Sequence, residues 1–217
     1  MSSGQQTVAF IHGLGEGSTT WEHQIAALPG GFSGVAVEIP GLAPGDTADR
    51  FNLTDAAQGI VAQLDSQGID RTHVVGLSLG AMLAFQIAAD HPHRVSSLVL
   101  AAGQVKPPRL LMGLQNAVMR LLPAPLVAGD GVGKSQMLGV LRAVSDTDFT
   151  ARLETISAPT LVLCGAKDRP NLPAARTLAA GIPGAELRII EGAGHRVHVQ
   201  RPVQFSEELN AFLLRHA

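Results

Sequence analysis

Ser78 stands in the pentapeptide Gly76-Leu77-Ser78-Leu79-Gly80, a G-x-S-x-G pattern that directly follows an apolar run and directly precedes a segment of helical character. A serine on so sharp a strand-to-helix turn presents its hydroxyl at a helix N-terminus, where the helix dipole favours developing negative charge. The flanking glycines leave room for neighbouring elements to pass close to the turn. The pattern predicts a nucleophilic serine, and the flanking strand and helix argue against a glycine-rich turn with an incidental serine.

A serine hydroxyl needs a base before it can attack a carbonyl, and the base in turn needs an orienting carboxylate. Asp168 follows an apolar run by a short turn, and His195 lies in the loop after the last apolar run. Ligands of open α/β sheets bind outside the carboxyl ends of the strands. We therefore expect Ser78, Asp168 and His195 to converge on one edge of a sheet.

The elements that must position these residues are short apolar runs that alternate with longer segments of helical period, the pattern of a parallel sheet covered by helices. Six such runs are expected to be strands: Thr7–Ile11, Gly34–Ile39, His73–Val75, Val95–Ala101, Thr160–Cys164 and Leu187–Ile190. Thr54 is expected to cap one helix, which Gly68 ends, and Pro202 to open the last one. A third helix is expected from about Ser78 to Asp90.

Together these motifs resemble the α/β-hydrolase family over nearly the whole chain, with a triad in the order Ser78, Asp168, His195. His12-Gly13-Leu14-Gly15 is similar to the family's H-G-x-G oxyanion loop, and Gly192-Ala193-Gly194-His195 is similar to its histidine loop. The resemblance implies that the backbone N–H groups of Leu14 and Leu79 form the oxyanion hole. It also implies a trimmed, mostly parallel six-stranded sheet with helices on both faces and a short helical lid.

The lid is expected at about residues 104–149, an insertion into a single domain that spans residues 1–217. This segment is longer than an ordinary connection and carries its own apolar stripe. Part of that stripe is expected to line an apolar substrate pocket: Leu110, Leu111, Leu114 and Met119. The direction of Arg109 and Arg120, toward a substrate carboxylate or phosphate or away from it, stays open.

The activity that the resemblance implies is that of a serine hydrolase, a carboxylesterase that cleaves small or medium, largely apolar esters through an acyl-enzyme on Ser78. It implies no cofactor. The same three residues also serve C–C bond hydrolases, lyases of the menaquinone-pathway type, thioesterases and perhydrolases, so these remain alternatives. A ligand receptor built on this fold is a more distant one. The serine disfavours epoxide and halide chemistry, because the family members with those activities use Asp as nucleophile.

Composition excludes other classes of protein. The 217 residues are 46% hydrophobic and 16% charged with a net charge of −2, which argues against disorder and against a nucleic-acid partner. One cysteine, Cys164, cannot form an intramolecular disulfide and is expected to pack as a small apolar residue. No apolar stretch is long enough for a membrane span, and the polar start lacks the pattern of a signal peptide, so a cytoplasmic protein is expected.

Rival sites are weaker. Residues 128–135 satisfy a relaxed phosphate-loop pattern, but they follow a proline-rich segment rather than a buried strand, which argues against nucleotide binding. No group of histidines has the further ligands that zinc needs, so no metal is expected. His12 is expected to make a structural hydrogen bond, and His198 is a weak competitor of His195 as base. The other histidines are expected on the surface.

Overall fold

The computed structural model describes residues 5–42, 51–107 and 133–217. Six parallel strands form one sheet in the order β2-β1-β3-β4-β5-β6. In chain order they are β1 (Gln6–Ile11), β2 (Phe32–Val37), β3 (Thr72–Leu77), β4 (Val95–Ala101), β5 (Thr160–Gly165) and β6 (Glu186–Ile190). The strand order reverses beside β1, and sequential strands run outward from there in both directions.

Helices form the crossover connections that neighbouring parallel strands need. Within the described ranges they are α1 (Glu22–Ala26), α2 (Leu53–Ser66), α3 (Leu79–Asp90), α4 (Lys134–Asp146), α5 (Leu172–Gly181), α6 (Val197–Gln200) and α7 (Pro202–Arg215). The same ranges also contain short 3₁₀ segments: Ser18–Trp21, Pro92–Arg94 and Thr150–Thr155.

Alternate side chains of each strand enter two separate cores, one on each face of the sheet. On β1, Ala9 and Ile11 join the core under α2, α3, α4 and α5, whereas Val8 and Phe10 join the core under α7. The period-two alternation of a strand explains this division, and burial on both faces explains why the inner strands are largely apolar. The six-stranded parallel sheet with helices on both faces is confirmed.

All six expected strands are present, and the largest shift is in β2, which runs two residues earlier than the predicted Gly34–Ile39. The N-cap of α2 was wrongly predicted at Thr54. Asn52 caps this helix instead, because its side-chain oxygen accepts hydrogen bonds from the backbone N–H groups of Thr54 at 2.8 Å and Asp55 at 3.4 Å. Gly68 follows α2 with a φ of +71°, and Pro202 opens α7, both as predicted.

The predicted lid falls largely on residues 108–132, which lie outside the described residues. Its described end contains α4, whose Val140 is fully buried in the core shared with α2 and α3. Gln136 of α4 donates from Nε2 to the carbonyl of Gly41 at 3.3 Å, which ties this helix to the loop after β2. The single domain with a lid stays a prediction. Across the described ranges, no helix is both long and apolar enough to cross a membrane.

Candidate active site

Ser78 occupies a strained turn between β3 and α3. Its φ of 54° and ψ of −113° lie in a region that non-glycine residues rarely adopt. The strain is fixed by its surroundings, since the Ser78 N–H donates to the carbonyl of Ala101 at 2.8 Å and its own carbonyl accepts from Met82 in α3. The turn thus projects the hydroxyl above the carboxyl end of the sheet.

The two glycines of the pentapeptide are required by close backbone approach. A Cβ at Gly76 would lie 2.2 Å from the carbonyl oxygen of Gly80, and a Cβ at Gly80 would lie 2.2 Å from the carbonyl oxygen of Ile11. Both separations are far shorter than real carbon–oxygen contacts, and backbone atoms cannot move aside cheaply. The G-x-S-x-G pattern is therefore dictated by the packing of β1, β3 and α3.

Asp168 and His195 meet directly. The Nδ1 atom of His195 lies 2.9 Å from Oδ2 of Asp168, and the Asp168 carboxylate is 4% exposed. Asp168 follows β5, and His195 follows β6 in a loop that packs so closely on β5 that a Cβ at Gly165 would lie 2.3 Å from the carbonyl oxygen of Gly194. The neighbouring strands thereby hold their two loops in register.

Asn171 was missed by the sequence analysis. Its side-chain amide donates to both oxygens of Asp168, at 2.8 and 2.9 Å, and its nitrogen lies 3.0 Å from Nδ1 of His195. The Asn171 Oδ1 atom accepts in turn from Nε2 of Gln104. The available signal was only its position three residues after Asp168, at the start of α5, where the Asn171 N–H also bonds the Asp168 carbonyl at 3.0 Å.

These contacts set the charge of the carboxylate. Burial acts to raise the pKa of Asp168, but the hydrogen bonds from His195 and Asn171 outweigh it and hold the pKa below its ordinary value. Asp168 is therefore an anion at neutral pH. A buried anion next to Nδ1 favours the tautomer in which Nδ1 carries the proton and Nε2 is free to accept one.

Ser78 and His195 border the same two cavities. One cavity, of about 610 Å³, is lined by the loop from Gly13 to Gly17 and by Arg196; we call it the polar cavity. The other, of about 470 Å³, has a largely apolar lining that includes side chains of α3 and α4; we call it the apolar cavity. Among the described residues the Ser78 hydroxyl has no hydrogen bond, as is common before substrate tightens a site.

Leu14 and Leu79 both line the apolar cavity together with Ser78. Leu79 is the first residue of α3, and Leu14 lies in the loop after β1 and borders both cavities. Glu16 folds that loop by accepting from the Gly13 N–H at 3.4 Å. Both residues thus line a cavity together with Ser78, and their role as an oxyanion hole stays a prediction.

Two other histidines that the sequence analysis singled out, His12 and His198, are both buried. His12 is buried, and its Nδ1 lies 2.9 Å from the carbonyl oxygen of Gly13, in line with the predicted structural bond. His198 is buried against Trp21, with Nε2 2.8 Å from the Thr20 hydroxyl, and burial lowers its pKa to about 4. It borders neither cavity, so the structure gives no support to His198 as a competing base.

His73 corrects the expectation that the other histidines lie on the surface. It is only 1% exposed, and its ring nitrogens contact the Ser97 hydroxyl at 2.8 Å and Gln6 Oε1 at 2.7 Å. It lies in β3, a central strand buried along its whole length, which explains why this histidine is buried.

Cys164 is fully buried in β5, as predicted, and burial raises its pKa to about 12. Of the residues 128–135, only the last three are described, and Lys134 begins α4. The described ranges contain no cluster of histidine, cysteine or carboxylate side chains able to hold a metal. Several predicted side chains lie outside the described residues: Arg109, Leu110, Leu111, Leu114, Met119 and Arg120.

The sequence of this chain is similar to those of known hydrolases. The model of the alpha/beta hydrolase family matches residues 8–208. The chain belongs to the alpha/beta hydrolase family. A relative from Serratia proteamaculans, named as a carbamate hydrolase (RutD), is 29% identical over 96% of this chain and 91% of its own length.

Solved structures share the fold of this alpha/beta hydrolase. An enol-lactonase from Burkholderia xenovorans superposes with a TM-score of 0.86 at 20% identity, covering 96% of this chain and 91% of its own. An esterase from Exiguobacterium antarcticum superposes with a TM-score of 0.85 at 19% identity, covering 97% and 92%. At these identities the likeness is one of fold.

Proposed function

We propose that this alpha/beta hydrolase is a serine hydrolase that cleaves carboxylic esters through an acyl-enzyme on Ser78. The observation that carries the proposal is that Ser78 and His195 line the same cavities while a buried carboxylate, Asp168, holds the far nitrogen of the imidazole. Nucleophile, base and orienting acid are the parts that acyl transfer needs.

In the proposed mechanism, Nε2 of His195 takes the proton of the Ser78 hydroxyl as its oxygen attacks the ester carbonyl. The backbone N–H groups of Leu14 and Leu79 hold the resulting oxyanion, and Asp168 stabilises the imidazolium. His195 then gives the proton to the leaving alkoxide, and water attacks the acyl-enzyme in the second half of the reaction. Asn171 is a positioning residue, because it acts on His195 through the Asp168 carboxylate.

In this proposal the two cavities bind different parts of the substrate. Met82, Val140, Leu141 and Val144 line the apolar cavity, which suits an acyl chain of small or medium length. The polar cavity holds the leaving alcohol, since its Arg196 side chain is 55% exposed and departing alcohol and entering water need a path to solvent. The substrate is therefore an ester with an apolar acyl part and a more polar alcohol part.

Carbamate cleavage is the second candidate. The name of the Serratia relative supports it, at 29% identity over nearly the whole chain. A carbamate presents the same kind of carbonyl to Ser78, so a catalytic serine serves both reactions. Lyase, C–C hydrolase, thioesterase and perhydrolase chemistry use the same three side chains and remain alternatives, as does a ligand receptor. A cytoplasmic location and a single domain with a lid also stay predictions.

The test is hydrolysis of p-nitrophenyl esters from acetate to decanoate, with p-nitrophenyl carbamates alongside, by wild type and Ser78→Ala. The variant is expected to lose about 10³-fold or more in kcat on each turned-over substrate. Ser66→Ala, an exposed serine at the end of α2, is the matched control and keeps full activity. Failure of the wild type to exceed Ser78→Ala on any ester would overturn the esterase proposal; fluorophosphonate labelling of Ser78 without turnover would favour the receptor.

A further inference from the structure

Arg196, the residue after His195, lines the polar cavity together with Ser78. Its Nε donates to Oε1 of Glu16 at 2.6 Å, and the Glu16 side chain is only 10% exposed. In the part of the chain that the structure describes, the two terminal nitrogens of the guanidinium, Nη1 and Nη2, have no hydrogen-bond acceptor. The arginine is thus held through one edge and leaves its other donors available.

Glu16 is fixed from several sides. Besides Arg196, its carboxylate accepts from the Gly13 N–H at 3.4 Å, and its Oε2 lies 3.9 Å from Nε2 of the buried His198. An arginine anchored to such a carboxylate has lost much of its rotamer freedom before any ligand arrives, so less entropy is lost when it binds one. The pair also joins the loop after β1 to the histidine loop, the two loops that flank the reacting carbonyl in the proposed function.

We propose that Arg196 binds a carboxylate on the alcohol part of the substrate. A guanidinium edge presents two parallel N–H donors that match the two oxygens of a carboxylate. Glu16 in the same cavity opposes a dianion more than a monoanion, which favours carboxylate over phosphate. The proposal rests on the proposed ester hydrolysis and gives it a substrate class: esters of an apolar acid with a hydroxy acid.

Matched substrates test this. The leaving-group pair is 4-(butanoyloxy)benzoate and 4-(butanoyloxy)benzamide, which differ by one charge at nearly constant shape. A second leaving-group pair, 3-(butanoyloxy)benzoate and 3-(butanoyloxy)benzamide, tests a second position of the carboxylate relative to the ester. The ratio of kcat/KM for acid over amide is measured in wild type and in Arg196→Gln. Dividing the two ratios cancels the intrinsic reactivity of the esters. We expect the ratio to fall about tenfold in Arg196→Gln, and Arg196→Lys to restore part of it.

Two controls separate the site from general charge effects. Arg188→Gln removes a half-exposed arginine on β6, whose side chain pairs with Glu186 and Glu208, and should leave the ratio unchanged. The acyl-side pair, mono-4-nitrophenyl glutarate and its glutaramate analogue, should give equal ratios in wild type and Arg196→Gln.

The outcomes are distinct. A ratio for both leaving-group pairs that stays within twofold in Arg196→Gln overturns the carboxylate site, even when the neutral amide ester is turned over in a Ser78-dependent way. A fall confined to the acyl-side pair overturns its placement on the alcohol part. If neither ester is hydrolysed by wild type above Ser78→Ala, the proposed function itself has failed.

Discussion

The side-chain amide of Asn171 donates to both carboxylate oxygens of Asp168, at 2.8 and 2.9 Å. One of these oxygens also contacts Nδ1 of His195 at 2.9 Å. A carboxylate bonded on both oxygens has a fixed plane, so the imidazole it orients is fixed as well. Gln104 extends the chain of contacts by donating to Asn171, which links the end of β4 to the loops after β5 and β6.

Replacing Asn171 by leucine should therefore lower kcat while leaving KM nearly unchanged. Leucine fills a similar volume but gives Asp168 no donor, so the carboxylate and His195 gain freedom to turn. We expect kcat to fall about tenfold, since general acid–base catalysis contributes about 10²- to 10⁴-fold and the base itself remains. Steady-state kinetics on p-nitrophenyl butyrate measures the split.

The free energy of unfolding of this variant shows whether it is folded and reports separately on Asp168. The pKa of Asp168 is held low in the folded state, so the contribution of Asp168 to stability is present above its unfolded pKa near 4. That contribution is lost as pH falls through the folded pKa. Asn171→Leu should cost about 1–3 kcal/mol at pH 7 and progressively less below pH about 4. An unchanged kcat in a folded Asn171→Leu would show that Asn171 does not position the site.

The close approach at Gly80 predicts that alanine is not tolerated there. The added Cβ would lie 2.2 Å from the Ile11 carbonyl oxygen and 2.6 Å from that of His12, so α3 would have to move away from β1. Overpacking of this kind costs about 1–3 kcal/mol or more of stability. Activity should fall as well, because α3 carries Leu79, whose backbone N–H is proposed to hold the oxyanion. Thermal unfolding measures the loss.

Gly17→Ala is the matched control for that experiment. A Cβ added at Gly17 would have no atom within 4 Å, and the φ of −120° at this residue suits alanine, so the substitution introduces no strain. Its melting temperature should lie within about 2 °C of wild type. Equal melting temperatures for Gly80→Ala and wild type would contradict the packing argument.

The apolar cavity predicts how acyl-chain preference changes. Val144 lies on α4 and faces this cavity, so Val144→Phe should fill part of it and shift the p-nitrophenyl ester optimum toward shorter acyl chains. Arg142→Phe, at an exposed position two residues earlier on the same helix, should keep the wild-type profile. Profiles of kcat/KM against chain length that coincide for all three proteins would show that the acyl group binds elsewhere.

The sheet and the placement of Ser78, Asp168 and His195 at one edge of it were predictable because their signals are local. Most strands are short apolar runs that end at a glycine or a polar turn. The packing constraint on Gly76 and Gly80 is visible in the sequence as the fixed spacing of the G-x-S-x-G pattern. Parallel strands then bring their carboxyl ends to one edge, which placed Asp168 beside His195 without knowledge of side-chain conformations.

Asn171, the Glu16–Arg196 pair and the burial of His73 depend on tertiary contacts instead. An asparagine three residues after Asp168 is compatible with any turn, and only the folded loop aims its amide at the carboxylate. Glu16 and Arg196 are 180 residues apart in the chain. The shift of the helix cap from Thr54 to Asn52 has a simpler cause. Both residue types are good N-caps, and the helix begins at Leu53, directly after Asn52.

The burial of His73 predicts that the folded state loses stability in acid. Burial lowers the pKa of His73 to about 4, with help from nearby Arg71 and His216. The unfolded chain, with histidine pKa values near 6.5, then binds more protons than the folded one between these values, so stability falls as pH drops from about 6.5 to about 4. Urea unfolding at half-unit pH steps should show this slope, and His73→Gln, which cannot take up that proton, should make it shallower. A slope that is identical in wild type and a folded His73→Gln would mean that the His73 ring is not the group that titrates.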